Sequence, residues 1–425
     1  MKIHSTKLAS LLLILMIFLP ACGVFEVGIE QPTSTPLPPA VIIPTPTPSP
    51  SPILAQLKPG QAVKIMQINM LNINNGWGIG QVETDLNDHI LYTSDGGRSW
   101  QDVTPTEALI GAPLQGLSAV SFFSADGNAW VTFISQTPQP PTFQTQKFWH
   151  SNDSGKTWQS GELSLTGFPM EYFVPFQLGY LDAEHGWVIA HVEAEKSHDY
   201  IAAFTTTDGG GTWSRVIDSD KNPELMSCKK TGMAFSTTTN GWLVGNCPGL
   251  MTGLFFYSTA DSGQSWQQAS LAPPNNQPAD FFTGNAAVCG IPELVYLSAR
   301  TTLMTVRCDV NATKQTASWL YTGKLGVMHE GHQLPTPFGA IQFLNADEGW
   351  MVGSWRDNSS DPSEIYHTTD GGETWIKLLS TAWQGTPNFI NSNTGWIIAH
   401  TEDKVALVFS SNGGLTWEAL FPTIR

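Results

Sequence analysis

The chain has 425 residues and a formal net charge of −16, with 20 basic against 36 acidic side chains. Only 13% of its residues are charged, so basic groups are too few for a surface that binds nucleic acid or anionic lipid by charge. The composition favours an exported globular protein whose acidic surface tolerates cationic ligands or basic proteins.

Residues 1–21 have the pattern of a secretory signal. Lys2 and Lys7 form a positive start, residues 8–19 form an apolar run, and Cys22 follows directly. The run is short for a permanent membrane-spanning helix. Leu19-Pro20-Ala21-Cys22 resembles the lipobox of bacterial lipoproteins, in which the cysteine is lipidated and becomes the new N-terminus. The resemblance implies lipidation of Cys22, a membrane anchor and a place in the cell envelope outside the cytoplasm. An ordinary signal peptide with an incidental cysteine is the alternative.

Residues 22–53 form the next segment, and most of it is a Pro/Thr/Ser tract. The stretch 43–52 alternates Pro with Thr and Ser and contains nothing that could build a packed core. Such a sequence predicts a disordered, extended spacer of about 3 Å per residue. It would hold residues 54–425 away from the membrane.

A phrase of the form [Ser/Thr]-x-[Asp/Asn]-x-Gly-x-[Ser/Thr]-Trp recurs six times in residues 54–425. Its Asp can accept backbone N–H bonds, its Gly supplies a positive φ, and its Trp packs back onto the strands, so each copy predicts a hairpin turn. The Asp or Asn and the Trp of the copies are Asp95 and Trp100, Asp153 and Trp158, Asp208 and Trp213, Asp261 and Trp266, Asp370 and Trp375, and Asn412 and Trp417.

A second landmark precedes each phrase: an aromatic or methionine lies seven residues before a tryptophan. The pairs are Met70 and Trp77, Phe123 and Trp130, Tyr180 and Trp187, Phe235 and Trp242, Phe343 and Trp350, and Phe389 and Trp396. A decayed unit has Tyr296 and Leu303 in this frame, and its turn, residues 320–327, lacks both Asp and Trp. Seven units of four short strands predict an all-β fold, a seven-bladed β-propeller of antiparallel blades.

The tryptophans and cysteines support the same units. Twelve of the 16 tryptophans fall at the two landmarks and are expected to pack between strands; the exceptions are Trp149, Trp319, Trp355 and Trp383. Cys228 and Cys247, like Cys289 and Cys308, are 19 residues apart and occupy equivalent places on the first two strands of successive units. We therefore predict the disulfides Cys228–Cys247 and Cys289–Cys308 in an oxidising compartment. Metal binding by the four is the weaker alternative, because no Cys-x-x-Cys spacing occurs.

The repeated phrase resembles the Asp-box (BNR repeat) of sialidases and related glycoside hydrolases. The fuller frame is similar to the photosystem II assembly- and stability-factor-like family of seven-bladed propellers. The resemblance implies that the turn aspartates are structural and face away from the ligand site. It implies binding by loops at the other end, within residues 80–89, 137–142, 191–200 and 355–364. The candidate binding residues there are Asp85, Asp88, His191, Glu193, His198, Trp355, Arg356 and Asp357.

Catalysis of the sialidase type needs three arginines that hold a carboxylate, and the chain has only six arginines in all. Carboxylates such as Asp85, Asp88, Glu193 and Asp357 could pair for glycoside hydrolysis, although acids in exposed loops are usually solvated. His191 to Asp199, and His329 with His332, could hold a divalent cation, but neither has a recognised ligand spacing. We nominate no catalytic residue, metal or cofactor.

These observations favour a non-enzymatic, membrane-anchored, extracytoplasmic propeller that binds an unidentified protein or glycan. We expect a monomer that does not bind nucleic acid. Two other functions stay open: a glycoside hydrolase of the Asp-box group, and an assembly factor for an envelope or photosystem-type complex.

Overall fold

A computed structural model describes residues 56–109, 116–135, 145–167, 171–195, 198–247, 254–298, 301–324, 327–357 and 361–425. Residues 51–425 form one compact unit. The predicted signal, Cys22, the Pro/Thr/Ser spacer and the loop 137–142 lie outside the described residues.

The described strands form seven separate sheets. Blade 1 contains β1 (Lys64–Met70), β2 (Gly76–Val82), β3 (Asp85–Thr93) and β4 (Ser99–Asp102). Blade 2 contains β5 (Leu117–Phe123), β6 (Ala129–Ser135), β7 (Thr145–Ser151) and β8 (Gln159–Ser164). Blade 3 contains β9 (Val174–Tyr180), β10 (Gly186–Glu195), β11 (His198–Thr206) and β12 (Ser214–Ile217). Blade 4 contains β13 (Lys229–Phe235), β14 (Gly241–Asn246), β15 (Phe255–Thr259) and β16 (Gln267–Gln268).

The remaining blades follow in chain order. Blade 5 contains β17 (Ala287–Ser298), β18 (Thr301–Val310), β19 (Gln315–Lys324), β20 (Val327–Met328) and β21 (His332–Gln333). Blade 6 contains β22 (Phe338–Phe343), β23 (Gly349–Ser354), β24 (Ser363–Thr368) and β25 (Ile376–Thr381). Blade 7 contains β26 (Gln384–Phe389), β27 (Gly395–His400), β28 (Val405–Ser410) and β29 (Glu418–Leu420). The chain ends in β30 (Thr423–Ile424).

Each blade pairs its strands antiparallel in the order a, b, c and d, and the predicted seven-bladed propeller is confirmed. The two landmarks fall where the sequence places them, since Phe343 faces Gly349 at the a–b turn and the phrase around Asp370 joins c to d. Helix is confined, in the described residues, to Thr106–Leu109 and a 3-10 turn at Pro223–Leu225. Neither is long enough to cross a membrane.

The ring closes by a device that the repeats do not predict. β30 lies parallel to β4 on the outer edge of blade 1, with Thr423 opposite Ser99. The segment before β1 joins the same seam, because Val63 N donates to Pro422 O at 3.0 Å and Ile424 N donates to Gln61 O at 2.8 Å. Residues from both ends of the described chain therefore hold blade 7 to blade 1.

Strand-b tryptophans join each blade to the next one. Their side chains are at most 2% exposed, and four of their indole N–H groups donate to a glycine carbonyl in the following blade. These bonds are Trp77 to Gly127 at 3.2 Å, Trp130 to Gly209 at 3.0 Å, Trp350 to Gly413 at 3.1 Å and Trp396 to Gly96 at 3.0 Å. The landmark thus fixes neighbouring blades as well as filling the space between them.

We call the c–d turns with the repeated phrase the aspartate turns. In blade 6, Thr368 Oγ1 donates to Asp370 Oδ1 at 2.8 Å, and Thr374 N donates to the same oxygen at 2.9 Å. Gly372 has φ +91°, a conformation that favours glycine. Burial alone would raise the pKa of Asp370, but hydrogen bonds from Thr374 and Thr368 outweigh it and lower the pKa to about 2. The carboxylate is therefore committed to the turn.

Both predicted disulfides are present, with Cα–Cα distances of 4.8 Å for Cys228–Cys247 and 4.0 Å for Cys289–Cys308. Their placement is equivalent only in part. Cys289 and Cys308 are register partners inside β17 and β18, whereas Cys228 precedes β13 and Cys247 follows β14.

Candidate functional site

We call the end with the b–c connections the variable end and the end with the a–b and aspartate turns the turn end. Two of the predicted loops of the variable end, residues 80–89 and 191–200, are wrong. β2 and β3 continue to a two-residue connection, residues 83–84, and β10 pairs with β11 as far as Glu195 opposite His198. Asp85, Asp88, His191, Glu193 and His198 therefore lie on strands, because ladder hydrogen bonds override the low strand preference of charged residues.

In blade 1 the predicted acid Asp85 belongs to a network around the buried His89. His89 is fully buried, with Nδ1 2.8 Å from Asp102 Oδ2 and Nε2 3.3 Å from Asp85 Oδ2. Burial alone would lower the pKa of His89, but the two carboxylates outweigh it and raise the pKa. Asp88 ties blade 1 to blade 2, since its Oδ2 accepts the N–H of Ala119 at 2.8 Å. Both acids thus have structural partners.

In blade 3 the predicted residues border a buried lysine that the sequence analysis missed. His191 Nδ1 lies 2.7 Å from Asp199 Oδ1, and Asp199 Oδ2 accepts the N–H of Lys230 at 2.7 Å. The Lys230 ammonium is 2% exposed and donates to three backbone carbonyls, those of Asp199, Ser227 and Cys228. Burial lowers the pKa of Lys230 to about 7 although Asp199 opposes the shift. This network joins blades 3 and 4.

Two further predicted residues of blade 3 stand beside this network. Glu193 is half-buried on β10, and the ring of His198 stacks on Tyr200 with centroids 5.8 Å apart. The only sequence signal for Lys230 is its position two residues after Cys228, which is not enough to find it.

The loop of blade 6 is placed as predicted, between β23 and β24. Trp355 is 63% exposed, and Arg356 and Asp357 beside it are exposed too. Behind the loop, Glu364 contacts the Lys377 ammonium and accepts the Tyr366 hydroxyl. The Lys377 ammonium first, and then hydrogen bonds from Tyr366 and Trp355, hold the pKa of Glu364 below its usual range. Trp355 therefore stands beside Glu364 with its ring facing solvent.

The predicted residues do not form one site, since they belong to blades 1, 3 and 6. Among them only the blade 6 group offers an exposed tryptophan, so it is the candidate for ligand contact at the variable end. No set of three or more His, Cys, Asp or Glu side chains in the described ranges could hold a metal ion.

A cavity of about 540 Å³ lies at the other end of the propeller, which the sequence analysis did not nominate. Its walls are the ends of the innermost strands and the a–b turns that follow them, contributed by blades 1, 2, 3, 6 and 7, with Leu303 from blade 5. Three side-chain amides line it, those of Asn69, Gln342 and Asn388. The cavity forms where strands from distant parts of the sequence converge, and no local motif marks it.

No known family profile and no curated protein matches this sequence. Several solved structures resemble the fold. A structure described as YCF48 bound to D1 peptide is 14% identical, with 87% of this chain and 99% of that chain covered and a TM-score of 0.46. YCF48 from Cyanidioschyzon merolae is 16% identical, with 84% and 98% covered and a TM-score of 0.45. The α-L-arabinofuranosidase Arb93A from Fusarium graminearum is 16% identical, with 69% and 92% covered and a TM-score of 0.39. These three similarities assign no function or site to this chain.

Proposed function

We propose that this protein is an extracytoplasmic, lipid-anchored propeller that binds a neutral glycan at the blade 6 loop. The observation that carries the proposal is Trp355, whose ring is 63% exposed and lies beside the exposed Arg356 and Asp357. A sugar ring has an apolar face of C–H groups that packs on tryptophan, and its hydroxyls need polar partners nearby. Arg356 and Asp357 supply such partners. A tryptophan side chain has few rotatable bonds and therefore loses little conformational freedom on binding.

Two features support the proposed location. The two disulfides support an oxidising compartment, as expected for an exported protein. The anchor is proposed from the lipobox-like sequence before Cys22, which lies outside the described residues. Metabolic labelling with a radioactive fatty acid should mark the natural chain, and a Cys22→Ser variant should be unlabelled and released from membranes. A labelled Cys22→Ser variant would contradict the anchor.

Binding is better supported than glycoside hydrolysis. A hydrolase needs a carboxylic acid whose pKa is raised so that it can protonate the leaving group. Every described carboxyl group with a shifted pKa is shifted downward, as Asp102, Asp199 and Glu364 show at the variable end. All three are held by hydrogen bonds from neighbouring side chains. This pattern suits a scaffold that presents a ligand-binding surface.

The test is binding to a panel of insoluble and immobilised neutral polysaccharides. We expect saturable binding to at least one of them, weakened roughly tenfold or more by Trp355→Ala, because exposed aromatic anchors dominate such contacts. Phe421→Ala is the matched control, since Phe421 is also exposed, at 85%, but lies at the blade 7 to blade 1 seam. Equal binding by wild type and Trp355→Ala, or no binding to any glycan, would overturn the site. Release of sugar from a bound polysaccharide would overturn the non-enzymatic assignment.

A further inference from the structure

The cavity at the turn end has an apolar wall built by equivalent positions of four blades. Leu71, Leu181, Leu344 and Ile390 each follow directly after the landmark residue that ends the innermost strand, and all four line the cavity. Their side chains are only half-buried. Apolar surface gathered in this way gains free energy when a ligand removes it from water.

Amide groups among the innermost strands give the cavity a polar patch. Two of them already have hydrogen-bond partners. Gln342 Oε1 accepts the N–H of Phe389 at 2.9 Å, and Gln342 Nε2 donates to the carbonyl of Phe389 at 3.1 Å. Asn388 Oδ1 accepts the N–H of Met70 at 2.9 Å. Asn69, the residue before Met70, differs from these two. Its Nδ2 is buried and has no hydrogen-bond partner among the described residues. A buried donor without a partner favours a ligand that brings an acceptor.

The rim of the cavity carries negative charge. Asp126 and Asp182, in the a–b turns of blades 2 and 3, both line it. Burial would raise the pKa of each carboxyl group, but turn hydrogen bonds outweigh it and lower the pKa, so both are ionised at neutral pH. Anionic ligands are therefore disfavoured at this entrance.

We propose that the turn-end cavity binds a neutral, mainly apolar small molecule that presents a carbonyl oxygen to Asn69. The volume of about 540 Å³ lies within the range of roughly 300–1,000 Å³ usual for small-molecule sites. The aliphatic wall holds the apolar body, the free amide orients the oxygen, and the acidic rim selects against anions. The site is at the opposite end from Trp355 and does not depend on the glycan-binding proposal.

Three fluorescent probes separate these contributions. Prodan is a neutral naphthalene with a ketone, dimethylaminonaphthalene is the same ring without the ketone, and anilinonaphthalene sulfonate (ANS) is an anion. We expect saturable binding of one prodan per chain with a blue shift of its emission. ANS should bind at least roughly tenfold more weakly than prodan, because the rim repels it. Absence of saturable prodan binding, or equal binding of ANS, would overturn the proposal.

Variants locate the site and test the role of Asn69. Ile390→Trp, or Leu344→Trp if the first variant folds poorly, should narrow the cavity and weaken binding of both neutral probes. Asn69→Leu has nearly the same shape without the amide, so it should weaken prodan binding roughly fivefold and leave dimethylaminonaphthalene unchanged. Prodan binding that is unchanged in such a variant places the probe elsewhere and refutes the site. An Asn69→Leu variant that binds prodan like the wild type refutes the hydrogen bond.

Asp182→Asn tests the charge of the rim. Its turn should persist, because Asn72, Asn345 and Asn391 occupy the same position in blades 1, 6 and 7, and each accepts two backbone N–H bonds there. We expect tighter ANS binding and unchanged prodan binding. Unchanged ANS binding would show that the rim charge does not select the ligand.

Discussion

Blades 5 and 6 have the same four-strand plan but are stabilised differently. Blade 6 has strands of six residues, Trp350 bonded to blade 7 and an aspartate turn at Asp370. Blade 5 has Leu303 in place of the tryptophan and no aspartate in its c–d turn. Its first three strands are 10 to 12 residues long, and its a and b strands are joined by Cys289–Cys308.

The difference shows which parts of the repeat can be replaced. Longer ladders add backbone hydrogen bonds, and a disulfide restricts the unfolded chain, so together they can substitute for an indole and a turn carboxylate. Blade 4 has a disulfide and both landmarks, and is intermediate between the two.

The largest effect should follow from removing the tryptophan of blade 6. Trp350 is fully buried and stacks on Phe389 with centroids 3.9 Å apart. Trp350→Ala should lower the free energy of unfolding by about 4 kcal/mol, since it loses this packing and the bond to Gly413. Urea denaturation followed by circular dichroism measures it. Trp355→Ala is the control and should change the free energy of unfolding little, because Trp355 is exposed. A comparable loss in both variants would contradict a special role of the buried Trp350 in stability.

Removal of a disulfide should have the next largest effect. The double variant Cys289→Ala/Cys308→Ala should lose about 3 kcal/mol, because the cross-link closes a loop of 19 residues. Cys228→Ala/Cys247→Ala opens a loop of the same length in blade 4, where Trp242 and Asp261 remain. We expect the blade 5 variant to unfold at the lower urea concentration. The reverse order would show that the disulfide does not compensate for the missing landmarks.

The smallest effect concerns the turn carboxylate. Asp370→Ala should cost about 1 kcal/mol, since the group is exposed and solvent screens its interactions. Asp370→Asn should cost less, because Asn412 already performs this role in blade 7 with its amide donating to Thr416 at 2.8 Å. The equivalent substitution of Asp95 should behave alike.

The same carboxylate gives a pH dependence with a defined sign. The folded pKa of Asp370, about 2, lies below the ordinary value of about 3.9, so its stabilisation is present above pH about 4 and is lost as the pH falls towards 2. The melting temperatures of wild type and Asp370→Asn, measured between pH about 4 and about 2, should converge as the pH falls. A constant difference between the two melting temperatures would contradict an origin in the Asp370 carboxylate.

The fold was predictable because its landmarks are local and recur. An Asp, a Gly and a Trp at fixed spacing define a turn wherever they occur, and the equal spacing of the cysteines gave both disulfides. Trp355 could also be singled out, since it falls outside both landmarks. These inferences need only neighbours in sequence.

The remaining features depend on contacts between distant residues. Asp88 and His191 look like loop residues until the partner strands are known, and Lys230 is buried only because Asp199 and three carbonyls surround it. The orphan amide of Asn69 is visible only after several blades meet around the axis. The strand β30 is too short to be predicted by any periodic pattern.

The pairing of Thr423 with Ser99 also determines when the ring can close during folding. These residues are far apart in sequence, and every intervening blade must be synthesised before they can meet. Until then the growing polypeptide is an open arc whose outermost strand in blade 1 has unsatisfied backbone groups along one side. Such an edge invites pairing with other chains, so the interval before the ring closes is when this protein is most exposed to aggregation.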